Sequence, residues 1–191
     1  MGSVPFNYQD ELEKAYGRAP QPPVDVQEER LERIRSSLDE HELDAVLMFS
    51  DGSHPDNIRH LAGYVHVFHY AYSLLLVPRT GDPILLIDQE WHLDQAEKMS
   101  WIDDIRAMPP RGGSYDGLVT AVGDTFKDAN LTDATVGTLE TFLPMKCYHA
   151  LTEALPDVDF VNGSPVWADY VTSPSEYDKR MVERTAAIAD E

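Results

Sequence analysis

The sequence lacks the features that would place it in a membrane or an oxidising compartment. Cys147 is its single cysteine, so no internal disulfide can form. No apolar run reaches the roughly 18 residues that a membrane span requires. The first residues show neither the basic nor the apolar region of a secretory signal. We therefore predict a cytoplasmic location and no membrane partner.

Basic residues are also scarce, with 15 Lys and Arg against 34 Asp and Glu and a net charge of −19. No basic stripe exists to neutralise phosphates, so we expect no nucleic-acid partner. The hydrophobic content of 42% is too high for a disordered acidic segment. Acidic residues spread along a folded chain are typical of a protein from a salt-rich cytoplasm, where ions screen the repulsion. The composition therefore predicts a halophilic source.

Apolar periodicity predicts strands that alternate with helices along most of the chain. The predicted strands cover residues 44–49, 65–78, 83–88, 102–108, 134–139 and 157–161. The predicted helices cover residues 7–17, 89–100, 114–129 and 144–155, with others that start at Asp25, near Ser164 and at Ser173. Asp25 with Glu28, and Ser173 with Glu176, have the spacing of helix caps. Because strands 65–78 and 83–88 form a hairpin, we predict an α/β fold with a mixed sheet flanked by helices.

Residues 50–64 form a polar connection after a buried strand, at the sheet edge where α/β folds bind ligands. The alternative is a plain helical connection, in which Asp51, His54 and Asp56 only form a turn and a helix cap. Arg59 has the geometry to bind a carboxylate, and its alternative role is a surface ion pair. Four further candidates for the rim of a site are Tyr64, His66, His69 and Trp91.

Two other candidate sites are less favoured. His66 and His69 have a spacing that some metal sites use, but residues three apart on a strand point to opposite faces. We therefore expect no shared metal between them. Cys147 lies among apolar residues of a predicted helix, which favours a buried and unreactive thiol over a nucleophile. We predict no catalytic residue and no metal ligand in this chain.

Several segments, in their order, resemble one family. Asn57-Ile58-Arg59-His60-Leu61-Ala62-Gly63-Tyr64 is similar to a block in the N-terminal domain of the creatinase, prolidase and aminopeptidase P metallopeptidases. The strand that ends Leu75-Leu76-Val77-Pro78, the pair Val136-Gly137, and Ser173-Pro174-Ser175-Glu176 resemble further parts of that domain. The resemblance covers about residues 28–191. It implies a three-layer, ribonuclease H-like α/β architecture.

The same resemblance divides the chain into an extension at 1–24, an N-terminal α/β domain at 25–170 and the start of a linker helix at 171–191. It implies that the chemistry belongs to a separate C-terminal domain, which binds two divalent metals such as Mn, Co or Zn. This chain would then be inactive alone and without its own cofactor. It would act in homodimerisation and supply Arg59, Tyr64, His66, His69 and Trp91 to the rim of the substrate site.

The residues leave the substrate and the role open. A parent enzyme of this family would cleave Xaa-Pro peptides, hydrolyse a small zwitterion as creatine- and ectoine-degrading relatives do, or act as a lyase on a sulfonium osmolyte. The aromatic and histidine-rich stretch 64–72 suits a cation. A different class of function is a free-standing α/β module that binds a small molecule or regulates a partner.

Overall fold

A computed structural model describes residues 22–66, 68, 71–108 and 116–189 of the chain. Its helices are α1 Val24–Glu40, α2 Asp56–Ala62, α3 Leu93–Met99, α4 Asp116–Asp128, α5 Met145–Ala154, α6 Ser164–Thr172 and α7 Glu176–Ala189, and a 3-10 turn spans Glu90–His92. None of these described helices is both long and apolar enough to cross a membrane. The helix predicted at 7–17 lies outside the described residues.

The described strands form one six-stranded sheet in the order β4-β3-β2-β1-β5-β6. They are β1 Ala45–Asp51, β2 Tyr72–Pro78, β3 Ile84–Ile87, β4 Asp104–Ala107, β5 Thr135–Thr138 and β6 Asp159–Asn162. Strand β2 is antiparallel to β1 and β3, and the other neighbours pair in parallel. The predicted hairpin and the mixed α/β sheet are both confirmed.

The sheet is covered on both faces, because alternate residues of the central strands enter two separate apolar clusters. Leu47 and Leu74 pack with Val122 of α4 and Leu151 of α5 on one face. The opposite cluster is built from β1 and β2 together with residues of α1, α2, α3 and α6, including Val46, Leu75, Ile34, Ile58, Ala96 and Val166. This three-layer arrangement is the architecture that the sequence predicted.

The strand prediction for residues 65–78 was wrong for the described residues 65, 66, 68 and 71. Helix α2 ends at Gly63, which has the left-handed φ of 78° that glycine adopts without strain. The described residues between Gly63 and Tyr72 are not in a strand, and β2 begins only at Tyr72. His66 is therefore not on a strand, so the argument that placed it on a different face from His69 does not apply. His69 lies outside the described residues.

Both predicted helix caps also differ from the structure. Helix α1 begins at Val24 after Pro23, and no side chain caps its first turn. Helix α6 extends to Thr172 and Ser173 is its C-cap, so Ser173 does not start the next helix. Helix α7 is capped instead by Ser175, whose Oγ accepts a hydrogen bond from the Asp178 backbone N–H at 3.1 Å. The Asp178 carboxylate accepts in return from the Ser175 N–H, which completes a capping box.

Candidate functional site

All strands except β2 run in the same direction, so their carboxyl ends share one edge of the sheet. At this edge β1 leads into the connection predicted to matter. Asp51 Oδ1 accepts hydrogen bonds from the backbone N–H groups of Ser53 and His54 at 2.9 and 2.8 Å. These bonds form the Asx-type turn expected from the sequence. Asp51 and His54 therefore shape the backbone.

A buried polar cluster lies near the same edge, where His66 follows α2 and Asp88 follows β3. His66 Nε2 is hydrogen-bonded to Ser73 Oγ at 2.8 Å, and its ring meets the ring of Tyr64 edge-on with centroids 5.1 Å apart. Asp88 accepts a hydrogen bond from His92 Nδ1 at 2.8 Å. Ser73 of β2 pairs with Ile87 of β3, the neighbour of Asp88. The hydrogen-bond partners of the two histidines therefore lie on or next to adjacent strands. All five cluster residues are buried.

Burial determines the protonation of this cluster. It lowers the pKa of His66 to about 4, although the negative charges of Asp88 and Asp51 act in the opposite direction. Burial, and then the charge of Asp88, raise the pKa of the Tyr64 hydroxyl. His66 and Tyr64 are therefore both neutral near pH 7. Within the described part of the chain, His66 Nδ1 and His92 Nε2 have no hydrogen-bond partner. A buried nitrogen without a hydrogen-bond partner lowers the stability of the fold. The cluster therefore does more than fill the core with apolar surface.

An aromatic surface covers the cluster on the solvent side. Trp91, on the 3-10 turn after β3, is 54% exposed. Its ring centroid lies 3.8 Å from that of His92 and 5.6 Å from that of Phe68. The Asp88–His92 hydrogen bond therefore holds the His92 ring against which the exposed Trp91 ring packs. Trp91 is the predicted rim residue with an open face, whereas Tyr64 and His66 lie beneath the surface.

Arg59 occupies a different part of the surface. It is exposed on α2 and lines an open groove against α7. Among the described residues, no hydrogen bond, ion pair or ring contact joins Arg59 to Tyr64, His66 or Trp91. It has no ion-pair partner there either, so the surface ion pair considered from the sequence is not formed. The structure thus brings Tyr64 and His66 together, relates Trp91 to them through His92, and leaves Arg59 apart.

Beside Arg59 lies a second polar network that sequence reasoning missed. Arg30 donates to Asp178 Oδ1 at 2.6 Å and to the His60 carbonyl at 2.7 Å. His60 Nδ1 is hydrogen-bonded to the Tyr170 hydroxyl at 2.9 Å, and the Arg33 guanidinium lies 4.7 Å from the Tyr170 ring centroid. The available signal was Arg30 itself, because it interrupts the buried stripe of α1 at helical spacing. Ser73 and Asp88 were missed too, since both read as ordinary strand and turn residues.

The remaining predictions concern the thiol and metals. Cys147 is buried, and burial raises the pKa of its thiol to about 12. It is therefore unreactive at neutral pH, as predicted. Within the described residues, no group of three or more His, Cys, Asp or Glu side chains is arranged to hold a metal ion.

Family comparison identifies this fold. The model of the Creatinase/Prolidase N-terminal domain matches residues 30–169, which is well over half of the chain. The chain therefore belongs to the creatinase/prolidase N-terminal domain family. No curated protein matches it by sequence.

Solved structures share the fold at low sequence identity. The Xaa-Pro dipeptidase from Bacillus anthracis is 19% identical with a TM-score of 0.66, and the match covers 86% of this chain and 41% of that one. The prolidase from Pyrococcus horikoshii OT3 is 20% identical with a TM-score of 0.61, covering 85% and 40%. The chain thus spans about two fifths of these two proteins. The N-terminal domain of cytoplasmic peptidase PepQ from Mycobacterium tuberculosis H37Rv is 19% identical with a TM-score of 0.55, covering 73% and 97%.

Proposed function

We propose that this chain is the non-catalytic N-terminal domain of a metal-dependent Xaa-Pro peptidase. The match of the family model to residues 30–169 carries this proposal. The relatives that are about twice as long, an Xaa-Pro dipeptidase and a prolidase, support it as a fold-level analogy. The two divalent metals then belong to a C-terminal catalytic domain, which is the expected partner. The isolated chain has no peptidase activity of its own.

Within this proposal the carboxyl edge of the sheet supplies part of the rim of the substrate site. Trp91 is the contacting residue, because its exposed ring rests on Phe68 and His92. Tyr64 and His66 act from below by holding the neighbouring connection in place. Arg59, which lies on a different part of the surface, and His69, which lies outside the described residues, stay rim candidates from the sequence alone. A homodimer would bring this rim to the active site of a partner subunit.

Activity assays test the proposal in two steps. The purified chain should show no turnover of an Xaa-Pro dipeptide with added Mn²⁺ or Co²⁺, and measurable turnover would contradict the assignment. In a protein that also contains the catalytic domain, Trp91→Ala should lower kcat/KM by about tenfold, the equivalent of one lost contact of about 1.4 kcal/mol. Val171→Ala is the matched control, since Val171 is also exposed but lies at the end of α6 that is far from this edge.

Three further observations test the dimer, the substrate class and the alternative role. Light scattering on the purified chain should give twice the monomer mass of 21.5 kDa if the domain dimerises. The same kinetic assay with creatine, ectoine or a sulfonium osmolyte distinguishes a peptidase from the zwitterion-acting relatives. A reading frame that carries no spaced Asp, Asp, His, Glu and Glu beyond residue 191 would favour the free-standing binding module.

A further inference from the structure

An open groove of about 660 Å³ lies between α2 and α7. Its volume is within the range of small-ligand sites. Arg30, Arg59 and His60 form a polar wall, and α7 forms the opposite wall, with Asp178 in its first turn and an apolar surface that includes Val182, Ala186 and Ala189. The groove thus combines charge on one side with apolar surface on the other.

The polar wall has more positive than negative charge. Asp178 is shared by Arg30 at 2.6 Å and by the adjacent Arg33 at 3.8 Å. Arg59 has no anionic partner among the described residues. Burial, followed by the charge of Arg30, lowers the pKa of His60, so the imidazole is neutral near pH 7. Two guanidinium groups of the groove, those of Arg30 and Arg59, therefore face one carboxylate, on a chain whose net charge is −19.

The apolar wall follows one stripe of α7. Ala186 and Ala189 lie four and seven residues after Val182, which places the three side chains on one helix face. Val182 is 69% exposed. The two small alanines leave space along the helix for an aliphatic chain. A free guanidinium beside this stripe is complementary to a ligand that is anionic at one end and apolar at the other.

We propose that the α2–α7 groove binds a short aliphatic carboxylate. The carboxylate pairs with the guanidinium of Arg59, which has the fork geometry for a bidentate contact. The aliphatic tail packs on Val182, Ala186 and Ala189. Asp178 does not oppose the ligand, because Arg30 and Arg33 already neutralise it. The proposal rests on charge complementarity and shape alone and is independent of the proposed peptidase role.

The test uses the ¹⁵N-labelled full chain and hexanoate as the probe. Titration at low salt should give saturable shifts of the backbone amides at Arg59, His60 and residues 181–189. A ligand of this size should half-saturate on the order of 10 mM. Arg59→Gln should weaken binding about tenfold, because it removes the charged hydrogen bonds. Arg184→Gln is the matched control, since Arg184 is exposed on α7 outside the groove.

Two ligand controls make the outcome decisive. Hexylammonium has the same tail with the opposite charge and should not shift these amides. Molar KCl should weaken hexanoate binding, since screening reduces the attraction of Arg59. Linear shifts without saturation, equal shifts by hexylammonium, or equal affinity of Arg59→Gln and Arg184→Gln would each overturn the proposal.

Discussion

Helix α7 is held to the domain mainly by one ion pair, and Asp178→Asn tests this. Of the described α7 side chains, only Asp178 is buried. Its carboxylate accepts from Arg30 at 2.6 Å and from the Ser175 hydroxyl at 2.8 Å. Burial alone would raise the pKa of Asp178, but the hydrogen bonds from Arg30 and Ser175 outweigh it and lower the pKa. The ionised form is therefore the one that docks the helix.

The expected magnitude follows from the burial of Arg30, which is 7% exposed. Asparagine keeps the shape of the side chain but removes its charge, which leaves a buried guanidinium without an anion. Breaking a buried pair in this way costs about 3–5 kcal/mol. A 14-residue helix is marginal by itself, so α7 should undock before the sheet unfolds. A cost of about 3 kcal/mol corresponds to a roughly 100-fold larger open population of α7.

Native-state hydrogen exchange measures this opening directly. Amides of α7 should exchange about 100-fold faster in Asp178→Asn, while amides of β1 and β2 keep their protection. Glu176→Gln is the control, because it removes only the exposed pair with Lys179, and exposed pairs contribute less than about 1 kcal/mol. Lowering the pH of the wild type below the ordinary pKa of 3.8 should reproduce the effect, since a lowered carboxyl pKa gives stability that is lost on acidification. Equal α7 protection in Asp178→Asn and Glu176→Gln would refute the reasoning.

Three further predictions concern the sheet, acid stability and salt. Gly137→Ala should lower the free energy of unfolding in urea by more than about 3 kcal/mol, because the new Cβ would lie 2.8 Å from both Gly163 Cα and Leu43 Cδ1. Gly123→Ala is the control, because its new Cβ would have no described atom within 4 Å. It should raise the free energy of unfolding by up to about 1 kcal/mol. Because the pKa of His66 is lowered, neutral His66 contributes fully to the free energy of unfolding above pH 6.5, and this contribution is lost as the pH falls toward 4. Wild-type stability should drop by about 2 kcal/mol between pH 7 and 5, and His66→Gln should lose most of that dependence. The thermal midpoint should rise in molar KCl, and equal midpoints at low and high KCl would contradict a halophilic source.

Local sequence signals were sufficient for most of the fold. The turn at Arg79–Asp82 between two apolar runs predicted the β2–β3 hairpin, because both the turn chemistry and the strand pattern are local. The failure of the strand prediction at Val65 and His66 has a tertiary cause. Val65 and His66 continue a strand-like composition, but Tyr64 and His66 pack into a buried cluster instead of pairing with a neighbouring strand. Strand propensity reflects how well a side chain packs on a pleated, half-buried surface. Here the packing of Tyr64 and His66 against residues elsewhere in the chain outweighs that local preference.

The position of the candidate site could be predicted from the sequence, but the burial of its residues could not. The edge after β1 and β3 follows from topology, so the sequence could place Tyr64, His66 and Trp91 near it as candidates. Nothing local showed that His66 binds Ser73 or that Asp88 binds His92 below the exposed Trp91. Both pairs are close in sequence, but the contacts depend on how the chain bends after α2 and after β3, which a single sequence does not give. Burial in turn changes the chemistry, because it keeps His66 neutral near pH 7.

Helix α2 and the residues that follow it therefore contribute to two separate surfaces. Its exposed side carries Arg59 toward α7, whereas the residues after Gly63 turn back under the aromatic surface of Trp91. The left-handed Gly63 separates the two directions, since glycine adopts the φ of 78° at the end of α2 without the strain that a side chain would add. A substitution of Arg59 should thus leave the Trp91 surface unchanged, and a substitution of His92 should leave the α7 groove unchanged. Additive effects of the two in one double variant are expected from sites that share no contact.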